Sequence, residues 1–483
     1  MSPATEAPSD AREPTPRSGP ARQAVESLVI LSLGILIFRT FAAEAYIVPT
    51  GSMAPTLLGN HEEVVCPNCG TRFTLGLDED GRAGRAVCPN CGQTDSERVP
   101  AVACSGDRVL VQKFLYDLRR PRRWEVAVFH HPGAASQPYV KRVVGLPGEA
   151  IQIVGGDVVI DGRVARKSLR EQRAMRVLVF DNNHVPSDVN RYPRWMLRRG
   201  RPSLGRASGW RADGTRFVHE PIDPAADPID WLEYRHWQPE QARYAPVHDF
   251  NPYNGGELRG ENRVADLMLE ARLDLGGGVR SVVVRIDSGS DRFVVTLPVE
   301  DVAPIEVRRN GRLLIPDHPK AGRAATRSAA RPVRLEASVM DRRLMVALDG
   351  EPLFDPIDYE DPASGPEAGG SPVALGVRGG SLTVGDLRIY RDVYYTTALA
   401  NIPRRPFGVD SPYVLGPDEF FVLGDNSPVS NDSRFWPASP VVPGELFLGK
   451  PFLVHLPGQV VPLQVFGRSL YWVPDPREIR YIR

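Results

Sequence analysis

The chain has 483 residues, 59 basic against 59 acidic side chains, and an apolar share of 42%, enough for about three cored domains at roughly 150 residues each. Zero net charge argues against nucleic acid as the main partner, because binding phosphates leaves a basic excess. Gly (44) and Pro (46) together stay under a fifth of the chain, short of the roughly one quarter that marks low complexity. A mostly disordered chain, a collagen, a multi-span membrane protein and a disulfide-built scaffold are excluded, the last because there are five cysteines.

Residues 1–23 hold five prolines and no apolar period and are expected to be disordered. The run from Ser27 to Phe38 is almost continuously apolar, bounded by Glu26 and Arg39. Twelve residues are short for a bilayer span, which needs about 20. Extension through Phe41, Ala42 and Ala43, with Arg39 snorkelling, brings the segment close. The same residues, ending in Ala43-Glu44-Ala45, also describe a cleavable secretory signal. Both readings put Arg12, Arg17 and Arg22 inside and everything after Tyr46 outside.

Next comes Pro49-Thr-Gly-Ser-Met-Ala-Pro-Thr-Leu57, in which Gly51 and two prolines put Ser52 on a tight exposed turn. Alone, such a serine is a turn residue until a base is found. Cys66-Pro-Asn-Cys69 and Cys88-Pro-Asn-Cys91 follow, each with Gly after it and with 18 residues between them. That spacing matches a zinc ribbon holding one structural zinc ion through Cys66, Cys69, Cys88 and Cys91. A pair of disulfides is the alternative, since the segment is expected outside the cytoplasm. Cys104 is left over, either a buried thiol or a partner in redox exchange.

Gly106-Asp-Arg-Val-Leu-Val-Gln-Lys-Phe114 reads as a turn and an apolar strand. In Tyr139-Val-Lys-Arg-Val-Val-Gly-Leu-Pro-Gly-Glu149, strand alternation puts Tyr139, Lys141 and Val143 on one face and Val140, Arg142 and Val144 on the other. A buried lysine there has its pKa pushed down by desolvation, which an amine needs to act as a general base near neutral pH. His130 and His131 precede it, but no histidine stands in a recognisable nucleophile context, and Ser52 is not in a Gly-x-Ser-x-Gly elbow. Ser with Lys is the preferred pair.

Between 166 and 408 lie short strand-like runs, Ser281–Asp287, Arg292–Leu297, Val333–Val339, Arg343–Asp349 and Val384–Asp392, with a hairpin signal at Asp349-Gly350. Their pattern resembles a concanavalin-type jelly-roll sandwich, a fold that does not by itself give function. Trp231, Trp237 and Tyr253 are candidates for a sugar platform if exposed, and packing residues otherwise. Lys320–Arg334 is read as a solvated basic loop. Phe421-Val-Leu-Gly-Asp-Asn-Ser-Pro-Val-Ser-Asn-Asp-Ser-Arg434 then runs from a strand into a polar turn, where Asp432 and Arg434 suggest an ion pair that pins the loop.

These four boxes, in order behind an amino-terminal apolar segment, resemble type I signal peptidase, the membrane Ser/Lys endopeptidase family that removes signal peptides. The carboxyl-terminal Phe447–Phe452 and Pro474–Arg480 fit as well. The resemblance spans residues 24–60, 104–165 and 410–483. It implies Ser52 as nucleophile and Lys141 as base, with Thr50 joining the Ser52 amide in the oxyanion hole. It also implies that Ser430 orients the lysine and that Gly424, Asp425, Asn426, Asp432 and Arg434 shape the site. Ser427-Pro428 departs from the polar pair of many relatives. The apolar segment would be an uncleaved anchor.

The expected architecture is mainly β: an antiparallel catalytic core behind one transmembrane helix, with a zinc-ribbon insert and a β-sandwich insert. The parts are a tail (1–23), an anchor (24–45), core segments (46–62, 101–165 and 409–483), the ribbon (63–100) and the sandwich (166–408). Exported preproteins and the lipid bilayer are the expected partners, with a glycan or protein ligand for the sandwich and no organic cofactor. The expected location is the cytoplasmic (inner) membrane, single-pass, with a cytoplasmic amino terminus and an extracytoplasmic catalytic domain. The rival is a non-catalytic envelope protein that displays the sandwich; an intact Ser52 and Lys141 argues against it.

Overall fold

The structure is a computed structural model describing residues 19–37, 43–78, 80–94, 103–199, 208–222, 228–256, 260–299, 303–314, 331–360, 362–363, 370–398, 406–465 and 468–482. It is mainly β, built from antiparallel sheets. Residues 1–18 of the expected tail, 38–42 of the expected anchor and most of the basic stretch from Lys320 lie outside the described residues.

The apolar run is helical over Pro20–Ile37, so the helix begins inside the segment expected to be tail. Pro20 suits a first helical position because its missing N–H has no partner there anyway, and Arg22 pairs with Glu26 one turn on at 2.7 Å. At 1.5 Å per residue, 18 residues reach about 27 Å. Ala43–Ile47, in part assigned to the anchor, is instead a strand paired with Arg108–Gln112. Its alternating side chains and a waiting partner strand favour that pairing over continued helix. Among the described residues, no helix is long and apolar enough to cross a membrane.

The first sheet runs in the order Ala43–Ile47, Arg108–Gln112, Phe447–Leu456, Val126–His131, Ala134–Gly145, Glu419–Leu423, Val442–Pro443. The lysine strand therefore lies in the interior of the sheet. Lys141 is opposite Ala127 on one side, and Arg142 is opposite Leu423 on the other. Both edges of the strand are therefore paired, and Lys141 to Gly145 are all buried. Val143 packs with Ala127, Phe129, Phe420, Val422 and Trp436, while Val144 joins a separate cluster with Ile151 and Phe421. The alternation read from the sequence is kept, with both faces apolar.

Two further sheets form the sandwich. One is ordered Trp210–Asp213, Arg216–His219, Leu382–Arg391, Leu267–Leu275, Val333–Met340, Arg343–Leu348, Glu351–Pro352; the other Trp195–Arg199, Asp230–Tyr234, Val373–Gly379, Val279–Ser288, Asp291–Pro298, Glu306–Arg309, Arg312–Leu314. Inward residues of both, among them Leu269, Val284, Phe293, Val339 and Leu375, make one core, as expected for face-to-face sheets. The Asp349-Gly350 turn has φ of +47° and +89°, the left-handed pair a two-residue hairpin needs. Asp341-Arg342, at φ of +52° and +55°, makes the preceding hairpin without glycine.

The strand His61–Val65 crosses the boundary expected at residue 62 and pairs with Arg72–Gly76 to carry the first cysteine knuckle. In both knuckles the glycine is left-handed, Gly70 at φ +72° and Gly92 at φ +75°. Its N–H donates back to the first cysteine carbonyl at 2.8 and 2.9 Å. Such a reversal favours glycine because a Cβ would crowd the backbone.

Candidate active site

Ser52 lies in the single 3-10 turn Gly51–Met53. Met53 and Leu57, packed with Val109, Val111 and Val128, hold the turn to the first sheet. Across from it, Lys141 Nζ donates to Ser52 Oγ at 2.7 Å. Lys141 is 4% exposed and Ser52 8%. Burial pushes the lysine from its ordinary 10.5 down to about 8; Asp432 and Asp425 oppose this and Arg434 assists it. Ser52 Oγ thus meets an amine rather than an imidazole. His131 packs its ring on Tyr139 and Trp436, each at 4.8 Å.

The loop after Glu419–Leu423 reaches the pair because Leu423 is in register with Arg142. Gly424 sits where a Cβ would come within 2.1 Å of Ser430 Oγ and 2.4 Å of the Ser52 carbonyl oxygen. Its N–H donates to Asp432 Oδ2 at 3.0 Å. Ser430 is fully buried, and its hydroxyl has no hydrogen-bond partner among the described residues. Thr50 is exposed, and its side chain caps nothing.

Two buried ion pairs brace the loop. Arg434 grips Asp432 with two bonds, at 2.9 and 2.7 Å, and donates to Ser427 Oγ at 2.7 Å. Ser427 Oγ also receives the Thr396 N–H at 2.8 Å, so the departure at Ser427 carries local contacts of its own. Arg142 holds Asp425 in the same two-toothed way, at 2.7 and 2.6 Å. Asn426 donates from its backbone to Ser52 O at 3.0 Å and from its side chain to Gly51 O at 2.9 Å.

Several residues here carried no sequence signal as site residues. Arg142 was read only as the opposite face of the strand; two flanking valines and an interior strand were the available hint that its charge needed a partner. Asn251, Tyr253, Asn254 and Thr396 come from the sandwich insert, and no spacing tied them to Ser52. Tyr253 and Trp237 are 6% and 8% exposed, so of the two sequence readings they are packing residues. Tyr253 packs with Ala54 and Leu58, and Trp237 stacks on Tyr192 at 3.9 Å. Trp231 is half-buried.

The four knuckle cysteines offer sulfurs within 4.8 Å of one another and form no disulfide. The short separations are Cys66–Cys91 at 3.5 Å and Cys69–Cys88 at 3.6 Å. A tetrahedron with bonds of about 2.3 Å has edges of about 3.8 Å, so the cluster fits a zinc ion. Cys104 is buried and exchanges backbone bonds with His61 at 2.8 and 3.0 Å. Burial, with Glu63 and Glu62 nearby, pushes its thiol up to about 11, which withholds the thiolate that exchange requires.

Comparison with known proteins gives first a class. Residues 94–198 match the family described as signal peptidase, peptidase S26. Among individual relatives, a signal peptidase I from Leptolyngbya laminosa is 29% identical over 178 residues, covering 32% of this chain and 64% of that protein. A signal peptidase I from Buchnera aphidicola (subsp. Acyrthosiphon pisum) is 28% identical over 185 residues, covering 35% and 48%. These matches span less than two thirds of the relatives' length. Among solved structures, a carbohydrate-binding module from Bacillus subtilis aligns with 41% of this chain and 94% of its own, at 13% identity and a TM-score of 0.24.

Proposed function

We propose that this chain is a membrane-bound serine endopeptidase, a type I signal peptidase that removes amino-terminal signal peptides from exported preproteins. The observation that carries the reading is the 2.7 Å bond between a buried lysine amine and Ser52 Oγ, in a chain similar to signal peptidases. At the pH where Lys141 is neutral, its lone pair takes the Ser52 proton as Oγ attacks the scissile carbonyl. The Ser52 amide and the Thr50 hydroxyl would stabilise the oxyanion. The C–N bond then breaks, the lysine passes the proton to the leaving amine, and an ester remains on Ser52. A water gives its proton to Lys141 and attacks that ester, and Ser52 leaves with the proton restored. Ser430 would orient the lysine, while the Asp432–Arg434 and Arg142–Asp425 pairs fix the loop around it.

An anchor in the bilayer is supported by the helix Pro20–Ile37, whose Leu28, Val29, Ile30, Leu31 and Leu33 are all exposed. Apolar surface so concentrated has no stable place in water. The described helix precedes the Ser52 turn closely in the chain, an order that would hold the nucleophile near the membrane surface, with the catalytic domain extracytoplasmic. The knuckle cysteines would hold one structural zinc ion that closes the ribbon, with no position left for substrate. The sandwich is assigned as a jelly roll with a glycan or protein ligand.

The test is incubation of the full chain in detergent with a preprotein, comparing wild type, Ser52→Ala and Lys141→Ala. Cleavage after a small residue by wild type alone is the expected result. No cleavage by any of the three, all folded, overturns the reading in favour of a non-catalytic envelope protein.

A further inference from the structure

The sandwich insert meets the nucleophile turn through the 3-10 turn Pro252–Asn254 and the Asn251 that caps it. The Tyr253 ring occupies space that side chains would otherwise fill on two other segments. A Cβ on Gly51, next to the nucleophile, would lie 2.0 Å from the ring, and one on Gly76, at the end of a ribbon strand, 2.2 Å. Neither glycine is in the left-handed region. Glycine is therefore required at both places by the approach of the ring and not by the backbone. The phenol donates to Asn60 O at 2.8 Å.

Amides complete the grip. Asn251 Nδ2 donates to Ala54 O and to Asn426 Oδ1, each at 3.1 Å. Asn254 and Asn426 exchange two side-chain bonds, at 2.8 and 2.6 Å. Asn426 in turn holds the Gly51 and Ser52 carbonyls. The turn that bears the nucleophile is only three residues long, and this insert segment bears on it through the Tyr253 ring and Asn426. Acyl transfer is sensitive to such seating, since a misplacement of about 1 Å can cost on the order of 100-fold in rate.

We propose that the Asn251–Asn254 segment is a positioning element for Ser52, with Tyr253 as the wedge that seats the nucleophile turn, so that the sandwich insert is part of the peptidase machinery. The proposal rests on the Ser52/Lys141 reading above. Tyr253, Asn251 and Asn254 bond to neither Ser52 Oγ nor Lys141 Nζ and act through the backbone of the turn.

The test uses the full-length protein and preprotein cleavage, with kcat and KM measured separately. Tyr253→Ala is expected to lower kcat at least tenfold with KM within twofold. Tyr253→Phe, which keeps the ring, should stay within threefold of wild type, and Asn254→Ala should fall between them. Val295→Ala, which opens a cavity in the sandwich core, a cluster separate from those around the turn and Tyr253, should leave kcat unchanged below its unfolding temperature. Should Tyr253→Ala lose its cooperative unfolding transition, Asn254→Ala decides by the same kcat criterion, a loss of threefold or more supporting the proposal and wild-type kcat overturning it. A cleaving wild type with unaffected Tyr253→Ala, or with Val295→Ala equally impaired, overturns this proposal alone. A folded wild type that cleaves nothing removes the peptidase reading and this proposal with it.

Discussion

Arg142 and Asp425 form a two-bond ion pair whose side chains are 1% and 0% exposed, one residue along the strand from Lys141. Arg142 also donates to Trp124 O at 2.6 Å, and Thr56 donates its hydroxyl to Asp425. Removing one partner of such a pair leaves an uncompensated buried charge, which typically costs roughly 3–5 kcal/mol. Arg142→Ala is expected to lose about that much stability in urea denaturation. The double replacement Arg142→Met with Asp425→Leu should lose less than the single one, because no charge is left stranded.

Lys141 sets the pH dependence. Its folded value of about 8 lies below the ordinary 10.5 because burial disfavours the ammonium. The neutral amine is the active form, so kcat/KM should rise with pH through about 8 and fall roughly tenfold per pH unit below it. The unfolded lysine binds a proton up to 10.5 and the folded one only to about 8. The Lys141 contribution to stability is therefore least favourable below pH 8 and improves between 8 and 10.5. A pH–rate profile with its acidic limb near 6 or lower would contradict this assignment of the base.

Ser430 offers a separation of roles. Its buried hydroxyl has no partner among the described residues, so Ser430→Ala removes an unsatisfied group and should not lower stability. If the hydroxyl orients Lys141, kcat should nevertheless fall by about tenfold or more. Equal kcat in the variant would assign Ser430 to packing against Gly424.

For the knuckle cysteines the expected outcome is one zinc ion per chain by elemental analysis, with a lowered melting temperature after chelation and four further thiols titrating in the denatured, unreduced protein. Absence of both metal and titratable thiols from these positions would favour the disulfides.

A second buried lysine makes a prediction about the seam between core and sandwich. Lys167 donates to Asp341 at 2.6 Å and to Asp392 at 2.7 Å, and Asp157 and Asp266 lie beside them. Burial pushes Asp157 up to about 6 and Asp341 up to about 7. A carboxyl raised in this way binds its proton more tightly folded than unfolded, so its contribution to stability is lost as pH rises from about 4 towards 7. Lys167→Met should be strongly destabilised at pH 8 and partly restored at pH 5, measured as melting temperature.

The strands of the sandwich were legible because alternation and the Asp349-Gly350 turn are local. The Asp341-Arg342 hairpin was not, since its turn lacks glycine and both residues adopt a costly left-handed backbone. Asp341 is held there by Lys167, far away in the chain. Lys141 was legible as a base through its apolar face-mates, whereas Arg142 needed a partner more than 280 positions on.

Residue order by itself determined the four boxes, the Ser52 and Lys141 candidates, the cysteine spacing and the predominance of strands, because each is written in neighbours or in short periods. Only the tertiary structure decided that Lys141 is desolvated beside Ser52, that Ser427 is anchored by Arg434 and Thr396, and that Tyr253 wedges against Gly51. The physical reason is that desolvation, charge pairing and close approach depend on which distant segments share a volume, and a 243-residue insert (166–408) leaves that choice to packing.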